Sequence, residues 1–117
     1  MNDKEYELKM ETDVKKIKKN VVLLLEEYGE LKRRKEVGIE LDENESSLVS
    51  SVKKHLVVLT KDEYNVLLLS YIDNEEELFD YTVRHKLQLS ERTYYRLKDR
   101  GLMKLYEILP SSLFDVI

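Results

Sequence analysis

The apolar positions from Met10 run Met10, Val14, Ile17, Val21, Leu24, Tyr28 and Leu31, alternating steps of four and three that draw one continuous seam on a helix. Lys15, Lys16, Lys18, Lys19, Glu26, Glu27 and Glu30 flank the seam, and the pattern fades near Lys35. Gly38 and the polar stretch 42–47 read as a linker. Such a seam has two uses: it packs on the rest of its own chain, or it pairs with a second copy as a coiled coil, making residues 10–31 a homodimer interface.

A second helix is expected over 47–58, where Leu48, Val52, Leu56 and Leu59 recur at four- and three-residue steps. Thr60 opens a third, because Thr60 and Glu63 have the spacing of a capping box in which each side chain satisfies the other's backbone N–H. Tyr64, Leu67, Leu68 and Tyr71 form its expected buried face. Residues 73–79 are polar enough to be a connection, Asp80 is placed to cap a fourth helix, and Val83 and Leu87 would hold that helix to the next. Ser90 then supplies a start signal, so a fifth helix begins at Glu91 and runs towards Leu109, where Pro110 stops it. On this last helix Tyr94, Leu97, Leu102 and Leu105 fall inside, while Arg92, Tyr95, Arg96 and Asp99 point away. Gly101 marks a kink or a close helix contact, and Leu113, Phe114, Val116 and Ile117 equip the tail to dock on the core or a partner.

The expected fold is therefore all-α: an amino-terminal amphipathic helix and linker (1–45), then a small helical bundle (46–117). Scarce glycine (3) and proline (1) agree with helices rather than a turn-rich β architecture. With no cysteine, disulfide frameworks and thiolate metal sites or nucleophiles are excluded. No secretory signal is visible and the longest apolar run, 21–25, is too short to span a bilayer, so the expectation is a soluble cytoplasmic protein with no membrane partner.

The net charge of −4 changes meaning once it is divided along the chain. Residues 84–104 hold seven basic side chains against two acidic ones, a local charge of +5, directly after an acidic run at Asp73, Glu75, Glu76, Glu77 and Asp80. Local sign outweighs the total when a surface meets phosphate. In a helix-turn-helix reading, Leu87 closes a bracing helix, Gln88 occupies the turn, Leu89 plugs the gap and Ser90 caps a recognition helix. Arg92 and Arg96, one turn apart, can donate bidentately to guanine or phosphate, and Tyr95 adds a ring and a hydroxyl. Glu91 either favours the positive end of the helix or accepts from a cytosine amino group. Thr93 belongs to the same first turns, and Lys98, Arg100 and Lys104 are expected at phosphates.

The string from Asp80 to Lys98 (DYTVRHKLQLSERTYYRLK), followed by Leu102-Met103-Lys104-Leu105, closely resembles the carboxy-terminal region of ArpU-type phage transcriptional regulators, which carry a Ser-Glu-Arg-x-Tyr-Tyr-Arg-x-Lys signature. More distantly it looks like the DNA-binding region 4 of sigma factors. Residues 14–34, with their Leu-Leu-Glu-Glu-Tyr core and basic end, resemble the leading helix of the same group. The resemblance implies a regulator of late phage or prophage genes in a Gram-positive host, contacting double-stranded DNA through Ser90, Arg92, Tyr95 and Arg96. The amino-terminal seam keeps a second class open, a non-enzymatic interaction protein such as a small DNA-packaging subunit or an adaptor docking on host RNA polymerase. Arg84 departs from helix-turn-helix practice, since a small residue usually stands three places before Leu87 so that the helices cross closely.

Other chemistries have no foothold in the sequence. His55 and His85 stand on different expected helices and match no metal-ligand spacing, with His55 read as a helix-face residue and His85 as a further phosphate contact. The acidic run lacks the order of a calcium loop. No phosphate-binding glycine loop, nucleophile elbow or catalytic carboxylate pair is present, so neither an enzyme nor a cofactor is expected.

Overall fold

A computed structural model of the chain describes residues 3–74 and 76–116, with side chains at 13–74 and 76–115. Met10, Glu75, Val116 and Ile117, each named above, lie outside the described side chains. Among the described residues there are five α-helices and no strand: α1 (Asp3–Glu36), α2 (Glu43–His55), α3 (Lys61–Leu67), α4 (Asp80–Lys86) and α5 (Glu91–Ile108).

The carboxy-terminal half of the α1 seam is spent on the chain's own core. Val21, Leu24, Leu25, Tyr28 and Leu31 are buried, whereas Val14 and Ile17 are only partly covered. This burial takes most of the surface that a seam-mediated homodimer would need. The helix ends with basic residues in its last turn and Gly38 at φ 87°. There the Ile39 N–H reaches the Arg34 carbonyl and the Gly38 N–H reaches that of Lys35, the paired bonds of a Schellman cap.

α2 begins four residues before its expected start. Asp42 accepts from the Glu45 N–H while the Glu45 carboxylate accepts from the Asp42 N–H, a capping box where a linker over 42–47 was expected. The boundary expected between 45 and 46 therefore falls inside a helix, and Arg34 pairs with Glu45 at 3.0 Å to tie α1 to α2. The α-helix ends at His55, and Leu56–Val58 continues as a 3₁₀ turn. The Thr60–Glu63 box opens α3 as expected.

After α3 the chain widens into one turn of π-helix, Leu68–Ile72. Its looser winding carries the Ile72 backbone against α1, where Gly29 has no side chain to obstruct it and Arg33 donates to the Ile72 carbonyl at 2.8 Å. The principal core joins α1, α2, the end of α3 and the second half of α5, with Leu113 and Phe114 of the tail packed against it. A smaller cluster of Val66, Val83, Tyr94 and Leu97 fastens α4 to α3 and α5.

Candidate nucleic-acid interface

α4 and α5 are joined by residues 87–90, and each residue of that connection has a local reason for its position. Leu87 is the last cap of α4, and Gln88 takes the left-handed conformation at φ 57°. The Gln88 N–H then reaches the His85 carbonyl and the Leu89 N–H that of Arg84, repeating the cap of α1 with glutamine in place of glycine. Leu87 and Leu89 pack against the smaller core cluster. Ser90 caps α5 by accepting from the Thr93 N–H at 3.2 Å and donates to the Thr93 hydroxyl at 2.9 Å.

The cap of α4 differs from expectation. Phe79 holds the cap position with no side-chain bond, and Asp80 is the first helical residue. Its carboxylate crosses to α5 instead, accepting from the Tyr94 hydroxyl at 2.9 Å and the Tyr95 hydroxyl at 3.2 Å, with Lys98 at 3.4 Å. Partial burial works to raise the Asp80 carboxyl, but these three donors outweigh it and hold the group below its ordinary value. Tyr94 is fully enclosed and also meets Ser70 at 3.0 Å; burial first, then the Asp80 carboxylate, pushes its hydroxyl up to about 12.

α5 separates its two faces as the periodicity predicts. Tyr94, Leu97, Leu102 and Leu105 are buried, and Arg92, Tyr95, Arg96 and Asp99 are exposed. Gly101 is a contact rather than a kink, because α5 continues unbroken to Ile108 and a methyl group there would lie 3.0 Å from the Leu67 side chain.

The cations expected to reach DNA divide into two groups. Arg92, Arg96 and Arg100, on successive turns, are exposed and have no hydrogen bond or ion pair among the described residues. Lys98 and Lys104, by contrast, are committed internally. Lys98 lies beside Asp80 and 5.2 Å from the Tyr71 ring centroid, with Tyr94 and Tyr95 on its other sides. Lys104 reaches the buried Glu63 at 2.7 Å. Both ammoniums pair with carboxylates of the chain, partners that the periodicity placing them on a flank does not reveal. Glu91 is turned towards Arg84 at 3.4 Å, which also settles where the Arg84 head goes: along the outside of the turn rather than into the helix crossing. Tyr95 keeps an exposed ring while its hydroxyl is held by Asp80.

Two groups flank the arginine row. His85, Lys86 and Gln88 are exposed beside the turn. On the other side, Lys18 of α1 pairs with Asp99 at 3.2 Å, and Lys15, one turn earlier on the same face of α1, is exposed. The lysine cluster is visible in the sequence, but the nearness of Lys18 to α5 depends on a helix crossing that periodicity does not encode. His55 holds the Ser51 carbonyl at 2.7 Å on the face of α2. Among the described residues no helix is long and apolar enough to cross a membrane.

No family model matches the chain, and no curated protein or solved structure matches it. The likeness to ArpU-type regulators rests on the quoted residues alone.

Proposed function

We propose that the chain is a sequence-specific, double-stranded DNA-binding transcriptional regulator of the ArpU type, acting on phage or prophage late genes. In this reading α4 is the brace and α5 the recognition helix of a sigma region 4-like helix-turn-helix. The observation that carries it is the row Arg92, Arg96 and Arg100, unpaired among the described residues and starting in the first turn of a Ser90-capped helix that follows a tight turn. Free guanidinium forks on successive turns suit guanine edges and phosphates, while Ser90 and Thr93 lie where the first turn meets the backbone of the duplex. Lys15 of α1 supplies a flanking phosphate contact.

The test is duplex binding as a function of salt. Replacing Arg92 and Arg96 with alanine collapses binding and lowers the slope of log affinity against log salt by roughly 0.9 for each phosphate that is no longer neutralised. Unchanged binding sinks the assignment of α5.

A second reading, an adaptor that docks on RNA polymerase, draws on Phe79 and Tyr81. Their rings stack at 5.6 Å and 7° at the start of α4 and are largely exposed, an aromatic pair that nothing among the described residues covers. Light scattering with and without polymerase distinguishes this adaptor from a regulator that binds DNA alone.

A further inference from the structure

Away from α5, a cavity of about 760 Å³ opens between the end of α1, α2 and the start of α3. Its size falls within the roughly 300–1,000 Å³ common for small-ligand sites. Val49, Leu56 and Val57 give it an apolar wall, and the rings of Tyr28 and Tyr64 extend that wall. Val57 is 81% exposed, a large apolar side chain left open to solvent at the mouth. The polar lining is mainly cationic, with Lys32 and Lys35 from α1 and Lys53 from α2 against the single carboxylate of Glu36.

Tyr28 is the informative member. Only 4% of it is exposed, it lines the cavity, and among the described residues its hydroxyl has no hydrogen-bond partner. The ring is covered while the hydroxyl itself reaches solvent, so the hydroxyl is free to donate to a bound acceptor in place of water. Burial first, then Tyr64 and Glu36, pushes the hydroxyl above its ordinary value, so it keeps its proton and is available as a donor.

We infer that this cavity is a binding site for a small amphipathic anion, a carboxylate or phosphate carried on an apolar body. The body lies on Val49, Leu56 and Val57, and the anionic head accepts from the Tyr28 hydroxyl and pairs with Lys32 and Lys53. Charge complementarity selects this occupant, since a neutral apolar ligand leaves both the lysines and the tyrosine hydroxyl unanswered. The site is independent of the DNA reading and stands or falls separately.

Octanoate is the probe, with octanol as the uncharged control, and amide chemical shifts of the full chain report binding. Octanoate is expected to give saturable shifts centred on Lys32, Val49, Lys53 and Val57, and to bind at least tenfold more tightly than octanol. Tyr28→Phe keeps the ring and weakens octanoate about tenfold, and Lys32→Ala with Lys53→Ala weakens it by a similar factor, both with an unchanged melting temperature. Equal affinity for octanol, or a Tyr28→Phe protein of wild-type affinity and fold, overturns the proposal. So do diffuse, non-saturating shifts. Concentration-dependent dimerisation that perturbs the same amides without ligand assigns it to a second copy and also overturns the proposal.

Discussion

Lys104 Nζ lies 2.7 Å from Oε1 of Glu63, a carboxylate with no exposed surface. The same oxygen accepts from the Thr60 N–H, and the other carboxylate oxygen has no partner among the described residues. Burial alone would raise the Glu63 carboxyl, but Lys104 and Thr60 outweigh it and hold the group below its ordinary value. Lys104→Ala leaves that charge enclosed and lowers unfolding stability by roughly 2 kcal/mol, less than for a fully buried pair because Lys104 keeps 35% of its side-chain surface. The folded-state value is depressed, so this stabilisation is complete above the unfolded carboxyl value, about 4.3, and is lost as pH falls from there through the folded value. Urea melts from pH 7 to pH 3 test this: the gap between wild type and Lys104→Ala is widest at pH 7 and closes on acidification.

Gly29 and Gly101 predict unequal penalties. A methyl group at Gly29 would overlap the Ile72 backbone carbonyl, which the π-turn holds in place, whereas one at Gly101 meets the movable end of the Leu67 side chain at 3.0 Å. Gly29→Ala is expected to cost about 3 kcal/mol or more, in the range of severe overpacking. For Gly101→Ala the helix gains about 1 kcal/mol of intrinsic preference, which offsets most of the Leu67 shift. Thermal melts of the two variants give the ranking, and a Gly29→Ala protein as stable as wild type contradicts the close approach of α1 to the π-turn.

Gln88 sits at φ 57°, a conformation that glycine adopts freely and β-branched residues resist. Gln88→Gly should leave stability within about 1 kcal/mol of wild type, and Gln88→Val should lower it by about 1–2 kcal/mol. Thermal melts of the pair isolate backbone strain from side-chain loss, since both variants remove the same exposed amide.

Asp80 joins α4 to α5 through three donors, and Asp80→Asn removes the charge they share. The side chain is about half exposed, so solvent screens the effect and the expected loss is about 1–2 kcal/mol at pH 7. Because its folded value is depressed, the contribution is present above the unfolded value near 3.9 and disappears as pH falls through the folded one. Hydrogen exchange localises the change, with faster exchange expected in α4 while the α1 core amides keep their protection.

The helical layout is legible where local signals agree: the Thr60 box, the Ser90 cap and the two faces of α5 each need only a few neighbouring residues. Asp42 carries the same kind of signal, but the polar stretch around it reads equally well as linker. Asp80 shows a different limit. An aspartate ahead of an apolar pair suggests a cap, and nothing nearby in the chain says that Tyr94, Tyr95 and Lys98 stand opposite it. The internal partners of Lys98 and Lys104 escape for the same reason, as each pairing spans separate helices. The π-turn and its fit to Gly29 leave no periodic trace at all.

Arg100 and Lys98 stand two residues apart on α5, carry the same charge and should behave oppositely. Arg100 is exposed and unpaired among the described residues, whereas Lys98 has 16% of its side chain exposed and is enclosed by Asp80 and three tyrosine rings. If α5 meets a duplex with its outer face, Arg100→Ala lowers affinity and reduces the salt slope by up to roughly 0.9, with the melting temperature unchanged. Lys98→Ala instead leaves the slope at its wild-type value and destabilises the fold by about 1–2 kcal/mol, since Asp80 loses a cation and the rings lose a cation–π partner. Fluorescence anisotropy of a labelled duplex between roughly 50 and 200 mM salt, run beside thermal melts, separates the two effects. A reduced slope for Lys98→Ala with an intact one for Arg100→Ala would place the duplex on the opposite flank of α5 and invert the assignment of its faces.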